Sequence, residues 1–390
     1  MKRYLAVFIL VSLALSAVLA QPSGYVYTPA LRKDARSMGS GGASLLFSTD
    51  YDSFFGNPAG FTGPGSLTLG DLSLWSYVPV TPASINKLQQ ILEVGMEEAD
   101  FEAAVDKFIK DNSELGFGGA LGLGWAGKGF GLGFTMVSEA RLAGYDFANS
   151  AVHVANQLNA IVGFGLPINL GFIKIALGAD VRGFYRMDSE VAGWTEGHDL
   201  VMSYFGYRDD GELLLADNVL YGGFGYALDA GATLRIGPLM AGFMARDLFA
   251  NLNVDYTTVQ AIVEDADYPV EGGDPVAIEP TYTAGLALKF NENGYFSPSL
   301  YAETDGVEDL IADLKAGTFT SDSLLASMRV GGEIRLLRIF VLRGGLNKNC
   351  LSFGAGIDLH LISADVAVFN EDIQDLNSRS GLALRAAIKF

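Results

Sequence analysis

The chain has 390 residues, a formal net charge of −19 and a mean hydropathy of +0.26, with 49% of its residues hydrophobic. So acidic a chain is a poor partner for nucleic acid, whose phosphates are bound by Lys and Arg. A single cysteine, Cys350 at the start of a strand, excludes an internal disulfide framework, and His153, His198 and His360 lie too far apart for an HExxH or similar metal spacing.

At the N-terminus, Lys2 and Arg3 precede an apolar run from Tyr4 to Leu15 and a Val18-Leu19-Ala20 stop. That order predicts a secretory signal peptide over 1–20, cleaved after Ala20. The next residue, Gln21, is no lipoprotein cysteine. Beyond it no stretch approaches the roughly 18 consecutive apolar residues of a membrane helix. High hydropathy without a helical span is reconciled by a β-barrel, whose strands give only half their residues to lipid.

Residues 21–65 precede the first strand. Pro58 holds Asn57 out of helix, and Gly39, Gly41, Gly42 and Gly60 permit tight turns in a confined space. Phe54, Phe55 and Phe61 offer apolar anchors. The segment reads as a hatch folded into a barrel lumen; the alternative is a periplasmic tail.

From residue 66 onward the pattern is period two, which makes strands. Fourteen are predicted, near 66–78, 115–125, 129–139, 151–166, 171–186, 223–236, 238–250, 280–290, 295–304, 324–336, 338–346, 350–358, 361–370 and 381–390. The first shifts phase at Gly70-Asp71, the mark of a bulge. Tight links such as Ala126-Gly127-Lys128 and the single Leu337 alternate with mostly long connections, over 79–114, 140–150, 187–222, 251–279, 305–323 and 371–380. An even count with short turns on one side and long loops on the other is the outer-membrane pattern, and a soluble sandwich has no reason to segregate its loops so. In the first long loop Ser84 can cap a helix with Ile85, Leu88, Ile91, Leu92, Phe101, Val105, Phe108 and Ile109 at helical spacing, broken at Gly95. The last strand, Gly381–Phe390, sets Leu382, Leu384, Ala386, Ile388 and Phe390 against Ala383, Arg385, Ala387 and Lys389.

Gly122 to Gly127 matches GxGxxG, but a strand follows it where a dinucleotide site needs a helix. Gly116, Gly118, Gly122, Gly124, Gly129, Gly131 and Gly133 instead share an inward face, leaving room for something inside. No nucleophile, base and orienting group cluster at a recognisable spacing, so no catalytic residue and no enzyme activity are expected, and no cofactor is implied.

Three motifs lie in the segment before the first strand, Ala35-Arg36, Gly39 to Ala43 (Gly-x-Gly-Gly-Ala) and Asn57-Pro-Ala-Gly60. Their order resembles the N-terminal segment of the FadL/TodX long-chain fatty-acid transporter superfamily, including its PorV-like relatives. The resemblance implies a single fourteen-stranded antiparallel barrel over 66–390 in the bacterial outer membrane. Its N-terminal hatch, Gly39, Gly41, Gly42, Phe54, Phe55, Asn57, Pro58, Gly60 and Phe61 among its residues, would admit hydrophobic molecules. The expected partners are outer-membrane lipid and a hydrophobic or amphipathic small molecule such as a long-chain fatty acid. The alternatives are a PorV-like component that docks secreted or surface proteins, and a structural or adhesive surface protein.

Strand alternation turns Lys174, Arg182, Arg186, Arg235, Arg246, Lys289, Arg329, Arg335, Arg343, Arg385 and Lys389 inward, against Asp180, Asp229, Glu333, Asp358 and Asp365. A lumen of surplus positive charge would favour an anionic head group. Arg182, Arg235 and Arg329 are the candidate ligand contacts; the alternative is that such bases pair with inward acids and hatch carboxylates and cement the plug.

Overall fold

The computed structural model describes residues 27–77, 114–144, 150–192, 219–258, 271–292, 294–320, 327–359, 361–373 and 376–390, with scattered positions within 86–110 and at 324–325. The expected signal peptide lies outside the described residues. So does most of the helix expected in the first long loop, although Asp100, Ala103, Asp106 and Lys110 within it are helical.

Fifteen strand segments build the wall: β1 (Ser66–Tyr77), β2 (Glu114–Gly127), β3 (Phe130–Gly144), β4 (Ser150–Leu170), β5 (Ile173–Ala192), β6 (Val219–Ile236), β7 (Leu239–Thr258), β8 (Glu271–Ala277), β9 (Thr281–Lys289), β10 (Phe296–Asp305), β11 (Met328–Leu336), β12 (Phe340–Asn347), β13 (Cys350–Leu359), β14 (Ile362–Ile373) and β15 (Leu376–Lys389). Each pairs antiparallel with its neighbours, and β1 closes the ring on β15, from Thr68↔Lys389 to Ser76↔Leu382. Phe390 and Leu67 exchange two 2.8 Å backbone hydrogen bonds at that seam. β8 and β9 lie end to end along β7, interrupted at 278–280 where Pro280 removes a donor. The barrel therefore has fourteen staves.

Alternation decides the faces. On β1, Leu67, Leu69, Leu72 and Leu74 point out, whereas Thr68, Asp71, Ser73, Trp75 and Tyr77 are buried inside. The register slips between Thr68 and Gly70, the expected bulge, which brings Asp71 onto the inward face. Leu384, Ile388 and Phe390 are exposed outward as the terminal pattern requires. An apolar wall with a polar interior is the layout of a membrane-spanning barrel.

Four expectations are corrected. The connections at 140–150 and 371–380 are short, because β3 runs on to Gly144 and β14 and β15 stay paired as far as Ile373↔Leu376. Within 371–380 only Ile373 and Leu376 are apolar, so the alternation fades from the sequence while the backbone ladder continues. β8 falls inside a stretch read as loop for the same reason. Helix α2 (Val307–Ala316) lies in the connection 305–323, also read as loop, with Gly306 and Gly317 in left-handed conformations at its two ends. Leu324, Leu325 and Ser327 are helical, so that stave begins at Met328.

Candidate functional site

Residues 27–65 fill the lumen. Tyr27 and Thr28 lie against β4 and β5, where the Arg186 guanidinium donates to the Thr28 carbonyl at 2.8 Å. Helix α1 (Ala35–Gly39) packs on β13 to β15, its start capped by Asp34, which accepts from the Arg36 and Ser37 amides at 2.9 and 3.2 Å. Gly41 and Gly42, both with positive φ, then carry the chain along β11 and β12. A Cβ on Gly41 would come within 2.7 Å of the Leu346 backbone, so only glycine fits this turn. At β10, one carboxylate, Glu303, accepts the amides of Ser44, Leu45 and Leu46 at 2.7, 3.0 and 3.1 Å.

Two 3-10 turns complete the segment. In Asp50–Phe54, residues three apart share a face, so Tyr51 and Phe54 pack together while Asp52 points away. In Pro58–Thr62, Asn57 caps the start by accepting from the Ala59 amide at 2.9 Å, with Pro58 at the first position. Tyr51, Phe54 and Phe61 form a dry cluster with Ala126 and Ile161. They sit on the inward glycines: a Cβ on Gly133 would lie 2.7 Å from Phe54, and one on Gly163 would run into the Phe61 ring. The room expected along the glycine wall is thus occupied by the chain's own aromatic rings. Gly129 is not part of that wall, standing in a turn with φ +88°.

The opposite side is charged. Arg32 approaches Asp52 at 2.7 Å, Asp71 at 3.2 Å and Asp34 at 3.6 Å. Arg385 meets Asp71 at 2.6 Å, Asp52 at 2.8 Å and Asp34 at 3.7 Å. Arg36 bridges onward to Glu333 at 3.6 Å, and Arg343 links Glu333 to Asp365 at 2.9 and 2.6 Å. Burial alone would raise the Asp52 carboxyl, but the guanidiniums of Arg385, Arg32 and Arg36 overcome it and hold the group well below its ordinary range. Asp34 is lowered in the same way, burial being outweighed by Arg32 and Arg385. Asp50 behaves oppositely: burial pushes it up, and its Oδ1 has no hydrogen-bond partner.

Among the described residues, cavities lie on both sides of the hatch. One, of about 410 Å³, lies toward the long-loop rim and is lined by Tyr27, Arg32, Met38, Phe47, Phe55, Arg182, Met244, Arg246 and Arg329, among others. The other, of about 220 Å³, opens toward the short-turn rim and is polar, lined by Asp50, Arg335, Asp358 and Lys389 among others. A shallow apolar depression of about 710 Å³ lies on the lipid-facing wall over the small side chains of Ala355, Ala364 and Ala386.

Of the three arginines singled out from sequence, two line the larger cavity. Arg182 ion-pairs with Asp247 and leaves its Nε without a partner. Arg329 meets Asp305 at 2.5 Å and donates to the Gly42 carbonyl at 3.3 Å. Arg235 stands apart at the short-turn rim, donating to the Gly237 carbonyl at 3.1 Å and paired with Glu292. The expected surplus of positive charge is offset by further acids of the wall, Asp71, Asp247, Glu303, Asp305 and Glu371, whereas the hatch sets Arg32, Lys33 and Arg36 beside Asp34, Asp50 and Asp52 and adds no net charge. Arg32, Asp34, Asp52 and Glu303 were not picked out from sequence; the inward phase of Asp71 after the bulge was the available signal for their cluster.

A plugged barrel of fourteen staves with an apolar outer wall is the class of structure defined here. No protein-family model matches the chain, and no curated protein matches it. Among solved structures it is similar to the toluene transporter TodX of Pseudomonas putida, with 12% identity, 93% of this chain and 99% of that chain covered, and a TM-score of 0.47. The toluene transporter TbuX of Ralstonia pickettii is similar over 93% and 99% of the two chains, with 11% identity and a TM-score of 0.47. A FadL homologue of Pseudomonas aeruginosa follows at 13% identity, 93% and 98% coverage and a TM-score of 0.45.

Proposed function

We propose that the chain is an outer-membrane channel for hydrophobic or amphipathic small molecules, long-chain fatty acids being the first class to test. The observation that carries this reading is the 410 Å³ cavity above the hatch, which mixes Tyr27, Met38, Phe47, Phe55 and Met244 with charged groups. Its size lies within the roughly 300–1,000 Å³ of small-molecule sites, and such a lining suits a guest with an apolar body and a polar head. The order of Gly39 to Ala43 and Asn57 to Gly60 in a segment folded through the lumen supports the same reading. Short turns and the C-terminus would then face the periplasm, with the cavity open to the outside. Arg182 and Arg329 would take an anionic head, and the hatch would shift to let the cargo pass.

Radiolabelled oleate uptake in a deletion strain, restored by the intact gene, tests the channel; uptake unchanged by the deletion would sink it. Arg182→Gln with Arg329→Gln should weaken binding of oleate more than that of methyl oleate, while Arg235→Gln at the far rim leaves both unchanged. A second reading, a barrel that docks secreted or surface proteins, is favoured by α2, which holds Ile311 and Leu314 exposed at 45% and 60%.

A further inference from the structure

The two cavities meet at one place. Arg36 and Asp52 line both of them, so these two side chains are the partition. Their own contact is loose, 3.7 Å, and Arg36 reaches Glu333 only at 3.6 Å, with its Nε lacking any hydrogen-bond partner. The neighbouring Arg32 and Arg385 are held to Asp52 at 2.7 and 2.8 Å. Although Arg36 lies inside the barrel, its side chain is 21% exposed, so water-sized solvent reaches it from the cavities. Below it, the smaller cavity has room for on the order of seven waters at about 30 Å³ each. On the other side of the hatch, among the described residues, Phe54 and Phe61 are pressed against the backbone of Gly133 and Gly163 and close the seam.

We propose that the plugged barrel passes small hydrated inorganic ions along the charged side of the hatch, with Arg36 as the gate between the two cavities. A path lined by fixed charges of both signs replaces part of an ion's hydration, which an apolar seam cannot do. Rotation of a single long side chain away from Asp52 joins the cavities without displacing the hatch. This activity is independent of the cargo proposed above, because it requires no movement of the hatch backbone.

Purified full-length protein in planar bilayers with potassium chloride tests the gate. The wild type should carry a small steady current, and Arg36→Ala should raise it several-fold. In a Cys350→Ser background, Arg36→Cys should respond to thiosulfonate reagents, a positively charged adduct and a negatively charged one shifting ion selectivity in opposite directions. That response requires residue 36 to stay beside the ion path, so it separates gating from loss of the hatch. Silence of both wild type and Arg36→Ala, with insertion verified by heat-modifiable migration, would overturn the proposal. So would an Arg36→Ala current matched by Gly163→Ala, together with no response to the thiosulfonates.

Discussion

The hatch has two sides that are held by different physics. Its dry side, Tyr51, Phe54 and Phe61, rests on glycines of β2 to β4, and the ring centroids of Phe54 and Phe61 are 5.4 Å apart. Its charged side sets Arg32, Asp34, Arg36 and Asp52 against Asp71, Glu333 and Arg385 of the wall. Dispersion and apolar burial hold the first, non-directionally and without regard to pH. Paired charges hold the second, where the groups other than Arg36 are largely cut off from water and the loss of one partner strands the others. One 3-10 turn serves both, sending Tyr51 and Phe54 one way and Asp52 the other. The dry side is a seat, and the charged side is a lock with a loose member, Arg36.

Asp52→Asn attacks the lock and should have the largest effect. It leaves Arg32 and Arg385 short of a partner, a loss of about 3–5 kcal/mol for a buried pair. Hydrogen exchange at the hatch amides should report that drop, and an unchanged opening free energy would show the cluster to be solvated. Acid should act on the same groups. Because Asp34 and Asp52 are lowered from the ordinary 3.8, their contribution is complete above that value and is lost as the pH falls through it towards the lower folded values. Protease access to residues 27–65 should therefore rise below about pH 3.8 with the barrel still folded.

Gly163→Ala tests the seat. The added methyl meets the Phe61 ring, so overpacking should cost about 1–3 kcal/mol, read as faster exchange around 58–62 with no dependence on pH. If acid amplified that loss, the two sides would be one cooperative unit. Asn57→Ala should be the mildest, about 1 kcal/mol for a lost cap, confined to the same turn. A loss spreading to Arg32 or Asp34 would again join the two sides.

Period-two alternation, the bulge at Gly70 and the grouping of short and long connections were legible along the chain, because a strand in a barrel wall has a lipid side and a lumen side at every second residue. The hatch turn at Asn57-Pro58 was legible for a similarly local reason, since proline restricts its predecessor wherever it occurs. Glycines facing inward were visible too, but what they face was not. Phe61 reaches Gly163 across 102 positions of chain, and Arg385 reaches Asp52 across 333, which no local pattern encodes. Net lumen charge failed for a different reason: the hatch brings as many bases as acids, and the acids that neutralise the wall stand where strand phase is hardest to read, Asp71 after a bulge, Asp247 at a positive φ and Asp305 at the end of β10. The wall is written along the chain, because its surroundings change residue by residue. The filling of the interior rests on long-range contacts, because one segment threads through it and meets almost every stave.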